Sequence, residues 1–194
     1  MEWNWIEFFA VVFGLVAVYF NTKEIIWGWP TGIVGVILSG VLFYQVKLYA
    51  DLGLHIVYVI LGFYGWYKWL YGGKNQSELR VSRTNTSLMI GLIAAGIVGT
   101  AGIGYFFQQT TDADLPYWDA FTTAFSLVGQ YMLAKKKLEN WILWIVVDIV
   151  ASGIYVMKEL YLLALLYFLY LGLAAYGYRQ WKKSLVISGE RANV

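Results

Sequence analysis

The chain has 194 residues, of which 60% are hydrophobic and only 13% charged, with a net charge of +2 and no cysteine. A soluble domain of this size carries about a quarter charged residues, so the surplus of apolar and aromatic side chains calls for lipid as its solvent. The small, scattered charge argues against a nucleic-acid partner, and the lack of cysteine excludes disulfide frameworks and thiolate metal sites.

Seven apolar stretches follow one another at 5–21, 27–45, 53–70, 87–107, 118–134, 141–157 and 159–178. Each is long enough to cross a hydrocarbon core as a helix. The opening MEWNWIEFF lacks the basic region of a cleaved signal peptide, so the first stretch is expected to be retained as a span. Asn21-Thr22-Lys23-Glu24 closes it. Pro30 then marks the first turn of the second helix, where its missing N–H costs nothing. Polar runs from Gly72 to Asn85 and from Thr110 to Pro116 bracket the fourth stretch, Lys135-Lys136-Lys137 follows the fifth, and Lys158-Glu159 alone separates the sixth from the seventh.

The basic residues set the expected orientation. With the N-terminus outside and the C-terminus in the cytoplasm, every one of the 14 basic residues except Lys47 and Lys158 falls on the inner side, and the acidic loop with Asp112 and Asp114 falls outside. An even number of spans would split the basic clusters between the two sides.

An internal repeat emerges when the chain is slid against itself by 112 residues. Tyr19 and Lys23 then meet Tyr131 and Lys135; Trp29 meets Trp141; Tyr49, Tyr58, Tyr64, Gly65 and Trp69 meet Tyr161, Tyr170, Tyr176, Gly177 and Trp181. The repeat covers spans 1–3 and 5–7. The uncharged, Gly- and Ala-rich fourth span has no mate, and it returns the chain to the starting side. The expected fold is an all-α membrane protein of seven transmembrane helices in a 3+1+3 arrangement with parallel repeats. Its parts are a first repeat (1–71), a cytoplasmic loop and linker helix (72–112), a second repeat (113–183) and a cytoplasmic tail (184–194). Two such bundles rocking about a shared site make a small-solute transporter.

Polar residues inside the spans nominate that site. Trp141, Trp144, Asp148 and Ser152 share one face of the sixth helix. A carboxylate at mid-span costs about 2.5 kcal/mol or more on insertion scales and is kept for a use. An indole one turn away makes the pair a receptor for a flat cation. The repeat mates of Trp144 and Asp148 are Gly32 and Val36, so one half is expected to carry the chemistry and the other to leave room. Thr122, Ser126 and Gln130 form a polar stripe on the fifth helix, equally suited to lining a pocket or to joining helices. Gln45 and His55, the sole histidine, flank the outer loop of the first repeat; Ser39 and Tyr44 are weaker candidates. Trp27, Trp69, Trp181, Tyr64 and Tyr176 read as aromatic belt and bundle core. No P-loop, metal cluster or nucleophile triad is present, so an ATP-driven pump, a cofactor and an enzyme are all unsupported.

Trp29-Pro30, Phe43-Tyr44-Gln45, Leu48-Tyr49-Ala50-Asp51 and Tyr64-Gly65-Trp66-Tyr67-Lys68-Trp69 resemble the first half of the PnuC vitamin transporters. Trp118-Asp119, Glu139-Asn140-Trp141 with Trp144, and Gly177-Tyr178-Arg179-Gln180-Trp181 resemble the second half. The resemblance implies a fold like that of the SWEET sugar transporters, assembled as a homotrimer. It implies facilitated uptake of nicotinamide riboside across the bacterial inner membrane, made one-way by a cytoplasmic kinase that phosphorylates the vitamin. It places the substrate against tryptophan and amide side chains, roles that fall here on Trp144, Gln130, Gln45 and Asp148. Some family members carry asparagine at the position of Asp148 and glutamine at that of His55, so a relative's substrate such as thiamine, also a flat cation, is the alternative. A neutral sugar carrier of the SWEET type is a further one.

Overall fold

The computed structural model describes residues 5–45, 47, 49–111 and 114–192. Asp112 and Leu48, used in the sequence reading, lie outside them. The described residues form seven α-helices: α1 (Trp5–Thr22), α2 (Gly28–Gln45), α3 (Tyr49–Tyr71), α4 (Thr86–Thr110), α5 (Pro116–Ala134), α6 (Asn140–Met157) and α7 (Tyr161–Ala192). A single 3-10 turn, Lys74–Gln76, interrupts the loop after α3. Five helices, α1, α2, α4, α6 and α7, are long and apolar enough to cross a membrane by length and composition. The other two, α3 and α5, are 23 and 19 residues long and dilute their apolar content with Asp51, His55 and Lys68, or with Asp119, Thr122, Ser126 and Gln130. Large apolar side chains such as Ile60, Val98 and Leu162 stand on the outer surface, as a lipid-facing wall requires.

Helices α1, α2 and α3 pack in sequence, as do α5, α6 and α7. The two groups meet where α1 touches α7 and where α3 touches α5. Helix α4 packs on α5. Its glycines are the reason it sits so close: a Cβ on Gly96 would strike the Phe125 ring, one on Gly104 the Tyr117 ring, and one on Gly99 would crowd Ala124. The small-residue run that reads as a mere connector is therefore a packing face.

The corners repeat as faithfully as the helices. Glu24 ends the α1–α2 corner at φ 57 and Lys136 ends the α5–α6 corner at φ 46; Lys47 and Glu159 hold φ 61 and 59 at the next corners. At three of these the residue after the left-handed one closes a wide turn back onto the helix: Ile25 N–H donates to Phe20 O, Lys137 N–H to Met132 O and Leu160 N–H to Tyr155 O.

Two features add to the sequence reading. Helix α7 runs on through the segment read as a tail, because 179–185 alternates cations with Trp181 and Leu185 in good helix formers. The polar loop after α3 is a strap rather than slack chain. Ser82 N–H donates to Lys136 O and Leu138 N–H to Ser82 O, and Thr84 donates twice, from its N–H and its hydroxyl, to Glu139 Oε2 at 2.8 Å. Val81 is buried in the core beneath it.

Candidate functional site

At the lysine-rich end of the bundle, four tryptophans form the floor of the site. Trp29 meets Trp69 edge-on at 5.5 Å and 85°, and Trp141 meets Trp181 edge-on at 5.3 Å and 87°. Trp69 and Trp181 then touch each other at 5.8 Å, across the join between the two groups of helices. Each inner indole donates across the join: Trp69 Nε1 to Leu133 O at 3.1 Å, Trp181 Nε1 to Asn21 O at 3.0 Å. Leu133 and Asn21 are themselves a pair at the repeat offset. Gly65 and Gly177 make room, since a Cβ on either would collide with Trp29 or Trp141 respectively.

Charges follow the same rule. Lys23 lies over the Tyr176 ring at 4.8 Å and Lys135 over the Tyr64 ring at 5.5 Å. The hydroxyls of Tyr176 and Tyr64 hold these two ammonium groups above the ordinary lysine range. Glu24 and Lys136, equivalent positions in the two repeats, form an ion pair at 3.0 Å. Lys136 also sits 4.4 Å from the centre of the Trp69 ring.

Above this floor lies a cavity of about 350 Å³ between the two groups of helices. Its two walls differ in kind. One is made of small or apolar residues of α1 and α2, among them Ala10, Gly14, Val18, Gly32, Gly35 and Val36. The other carries Ser126, Gln130, Trp141, Trp144, Asp148 and Tyr170. At the repeat offset, Gly14 is the counterpart of Ser126, Val18 of Gln130, Gly32 of Trp144 and Val36 of Asp148. Trp144 is seated directly on the backbone of Gly129, with its indole 3.1 Å from where a Cβ would stand. Asp148 is 3% exposed and has a mid-span position. At the floor, the N–H groups of Trp29 and Trp141 and Asn21 Oδ1 are buried without a protein partner. They are three polar groups at a cavity that a polar ligand or water can fill.

Two aromatic columns complete the upper part. Phe43, His55 and Tyr58 pack in a row, tilted and then edge-on, at 4.8 and 6.0 Å; Tyr155, Tyr167 and Tyr170 do the same at 5.1 and 5.9 Å. They occupy equivalent positions. His55, Tyr58, Tyr167 and Tyr170 all line the cavity.

Of the expected site residues, the fold therefore brings together Trp141, Trp144, Asp148, Gln130, Ser126 and His55, with Ser39 at the rim of the same cavity. Gln45 is not among them. It is exposed in the last turn of α2, beyond the cavity, as is its neighbour Tyr44. Ser152 is buried with its hydroxyl unpartnered, one turn past the lining residues. Thr122 turns its hydroxyl to Asp119 O at 2.9 Å, a local bond outside the cavity. Sequence reasoning met Tyr58 and Tyr170 only as repeat mates and did not single out Tyr167. The available signal was the offset itself, which pairs His55 with Tyr167 and Gly14 with Ser126.

Known proteins resemble the chain over nearly its whole length. Residues 4–183 match the family described as nicotinamide mononucleotide transporter. The chain is 25% identical to the nicotinamide riboside transporter PnuC of Escherichia coli (strain K12), over 97% of this chain and 90% of that one. It is 30% identical to the nicotinamide riboside transporter PnuC of Neisseria mucosa, over 93% and 73%. The riboflavin/roseoflavin transporter RibM of Streptomyces davaonensis is 28% identical over 91% and 84%. A crystal structure of the vitamin B3 transporter PnuC superposes with a TM-score of 0.73 at 28% identity, covering 93% of this chain and 81% of that one.

Proposed function

The chain belongs to the nicotinamide mononucleotide transporter family of PnuC proteins, a multi-pass membrane family, and from that premise we propose that it imports nicotinamide riboside by facilitated diffusion. The observation that carries the proposal is the one-sided cavity: Trp144 and Asp148 on one wall, glycines and alanines opposite. Nicotinamide riboside joins a pyridinium to a sugar. The indole face of Trp144 takes the flat cation, the buried carboxylate of Asp148 balances its charge, and the small-residue wall admits its bulk. Gln130, Ser126, Trp141 and His55 supply polar and aromatic contacts around it.

The mechanism we propose is alternating access in a 3+1+3 arrangement of seven spans, with parallel bundles rocking about the cavity. The N-terminus lies outside and the lysine-rich end faces the cytoplasm of a bacterial inner membrane, as the basic residues favour. The tryptophan floor then acts as an inner gate, closed beneath the cavity. Opening it parts Trp69 from Trp181, releases the two indole hydrogen bonds and separates Glu24 from Lys136. A homotrimeric assembly and capture of the product by a cytoplasmic kinase complete the reading; phosphorylation gives a carrier without an energy source its direction.

The test is a calorimetric titration of the purified chain with nicotinamide riboside, riboflavin and thiamine side by side, repeated on Asp148→Ala and Trp144→Ala. Nicotinamide riboside should bind most tightly; Asp148→Ala should lose at least about 100-fold, the scale of a buried charge left unpaired, and Trp144→Ala about 10-fold or more, the scale of a desolvated cation on an indole. Unchanged affinity in folded Asp148→Ala refutes the site. A preference for thiamine would favour the alternative raised by the sequence, and a preference for riboflavin would point instead to a carrier like RibM, to which the chain is similar.

A further inference from the structure

The segment from Gly72 to Asn85 leads from α3 in the first bundle to α4, which packs on α5 in the second, so it crosses the join between the two. On its way Val81 enters the same buried cluster as Trp29, Trp69, Trp141 and Trp181, and Leu79 packs against that cluster. The strap therefore covers the tryptophan floor at the lysine-rich end. Its holds on the two bundles are unequal. On the first, Leu79 N–H donates to Trp69 O at 3.0 Å. On the second, it runs beside the α5–α6 corner as a short parallel bridge, Ser82 against Lys137, with Ser82 N–H donating to Lys136 O and Leu138 N–H to Ser82 O. Lys137 Nζ adds bonds to Ser82 Oγ at 3.0 Å and to Arg83 O at 3.2 Å, and Thr84 gives both its N–H and its hydroxyl to Glu139 Oε2.

Glu139 marks the second hold as the specific one. It stands at the N-cap of α6, where a polar side chain ordinarily accepts from an N–H of its own helix. It makes no such bond and gives its carboxylate to Thr84 instead. The first repeat has no equivalent: Trp27 replaces Glu139 at the offset and is exposed, and among the described residues the bridge occurs at the second corner alone. Between α3 and the strap, Asn75 and Gln76 hold left-handed φ values of 57 and 58. They sit in a turn bonded to itself, Gly73 N–H to Ser77 O and Ser77 N–H to Lys74 O, and such a turn swings without breaking contacts elsewhere. A gate that parts the bundles at Trp69 and Trp181 cannot leave the strap fixed to both, and the weaker hold yields. We propose that the strap is a latch on the inner gate, positioned by Thr84 and Glu139 so that it travels with the second bundle, and that each opening draws Leu79 and Val81 away from Trp69, pivoting on the turn at 74–77. The contacts with Trp69 exist only while the gate is shut, so they favour the closed state. The proposal rests on the alternating-access reading given above.

Because the chain has no cysteine, engineered thiols act without background. Ser82 and Lys137 pair at strand spacing, within reach of a disulfide. With Ser82→Cys and Lys137→Cys oxidised, the strap is welded to the second bundle. Uptake of labelled nicotinamide riboside into proteoliposomes should then stay within about twofold of the reduced protein. Uptake lost on oxidation and restored by a reductant overturns the proposal, because the strap must then leave the second bundle. A pair that does not oxidise overturns it too, since the bridge is its foundation. The cover is tested without substrate. In a separate chain, Ala134→Cys places a thiol in the buried cluster that holds Val81, off the cavity wall. Its alkylation by a polar maleimide in detergent should quicken at least about tenfold when Thr84→Val and Glu139→Ala remove the tie. Thr84→Ser keeps the hydroxyl and should leave the rate unchanged. A thiol at Ala120, buried toward the other end of α5, should also be unaffected by the loss of the tie. Equal Ala134→Cys rates in tied and untied chains overturn the proposal, as does an equal quickening at Ala120→Cys, which marks general loosening. A wild-type chain that takes up no riboside overturns the substrate reading alone, and the alkylation rates still decide the latch.

Discussion

The tryptophan floor and the cavity above it are made by the same pairs of helices, yet one is symmetric and the other is not. In the floor, the aromatic framework comes in twins: two edge-on indole pairs, two indole-to-carbonyl bonds and two lysines over tyrosines. In the cavity the equivalent positions diverge, with Gly14, Val18, Gly32 and Val36 set against Ser126, Gln130, Trp144 and Asp148. A surface that must open and close tolerates two-fold repetition, since both halves then move alike. A small asymmetric solute cannot be gripped equally by two identical walls. The duplication is kept where motion is needed and abandoned where recognition is.

Mutations can break that comparison on either side. The largest expected loss comes from the floor. Trp181→Ala removes a fully buried indole that touches both Trp69 and Trp141, and should cost about 3–5 kcal/mol of stability, read as a collapse of the melting temperature in detergent. Filling the empty wall comes next. In Gly32→Trp a second indole enters the cavity at the position equivalent to Trp144, and because Gly32 has only Ala17 beside it at 3.4 Å, the chain should fold while riboside binding is lost in titration. The ion pair gives a smaller and sharper test. Glu24→Lys and Lys136→Glu should each destabilise by about 1–2 kcal/mol, because the pair is only partly shielded from solvent. The double exchange should restore most of the melting temperature if the two corners are interchangeable. Least of all, Glu159→Gly should stabilise by about 0.5–1 kcal/mol, relieving a left-handed residue at the α6–α7 corner.

Much of the frame was legible in the chain because identical residues marked it: Trp29 with Trp141, Trp69 with Trp181, Gly65 with Gly177. The face of α6 was equally legible, since helical spacing alone gathers Trp141, Trp144 and Asp148. Depth along a helix was not. Gln45 and Ser152 lie on helices that reach the cavity but past its last lining residues, Ser39 and Asp148, and no periodicity reports where a cavity ends. The strap of 72–85 was hidden for another reason: its bonds run to the backbone of Lys136 and Leu138 and the side chain of Glu139, partners far along the chain that its own polar composition does not announce. The aromatic columns were hidden because substitution had disguised them, histidine standing at one position where tyrosine stands at its mate.

The bond between Glu24 and Lys136 has a consequence for the history of the chain. A residue near a two-fold axis meets its own counterpart, so two identical units would bring acid against acid or base against base at this corner. Opposite charges there require that the two units be different molecules or be fused into one. With the corner in this form, neither half can pair with a copy of itself without repulsion at the axis, and the charges are satisfied only where one half meets the other.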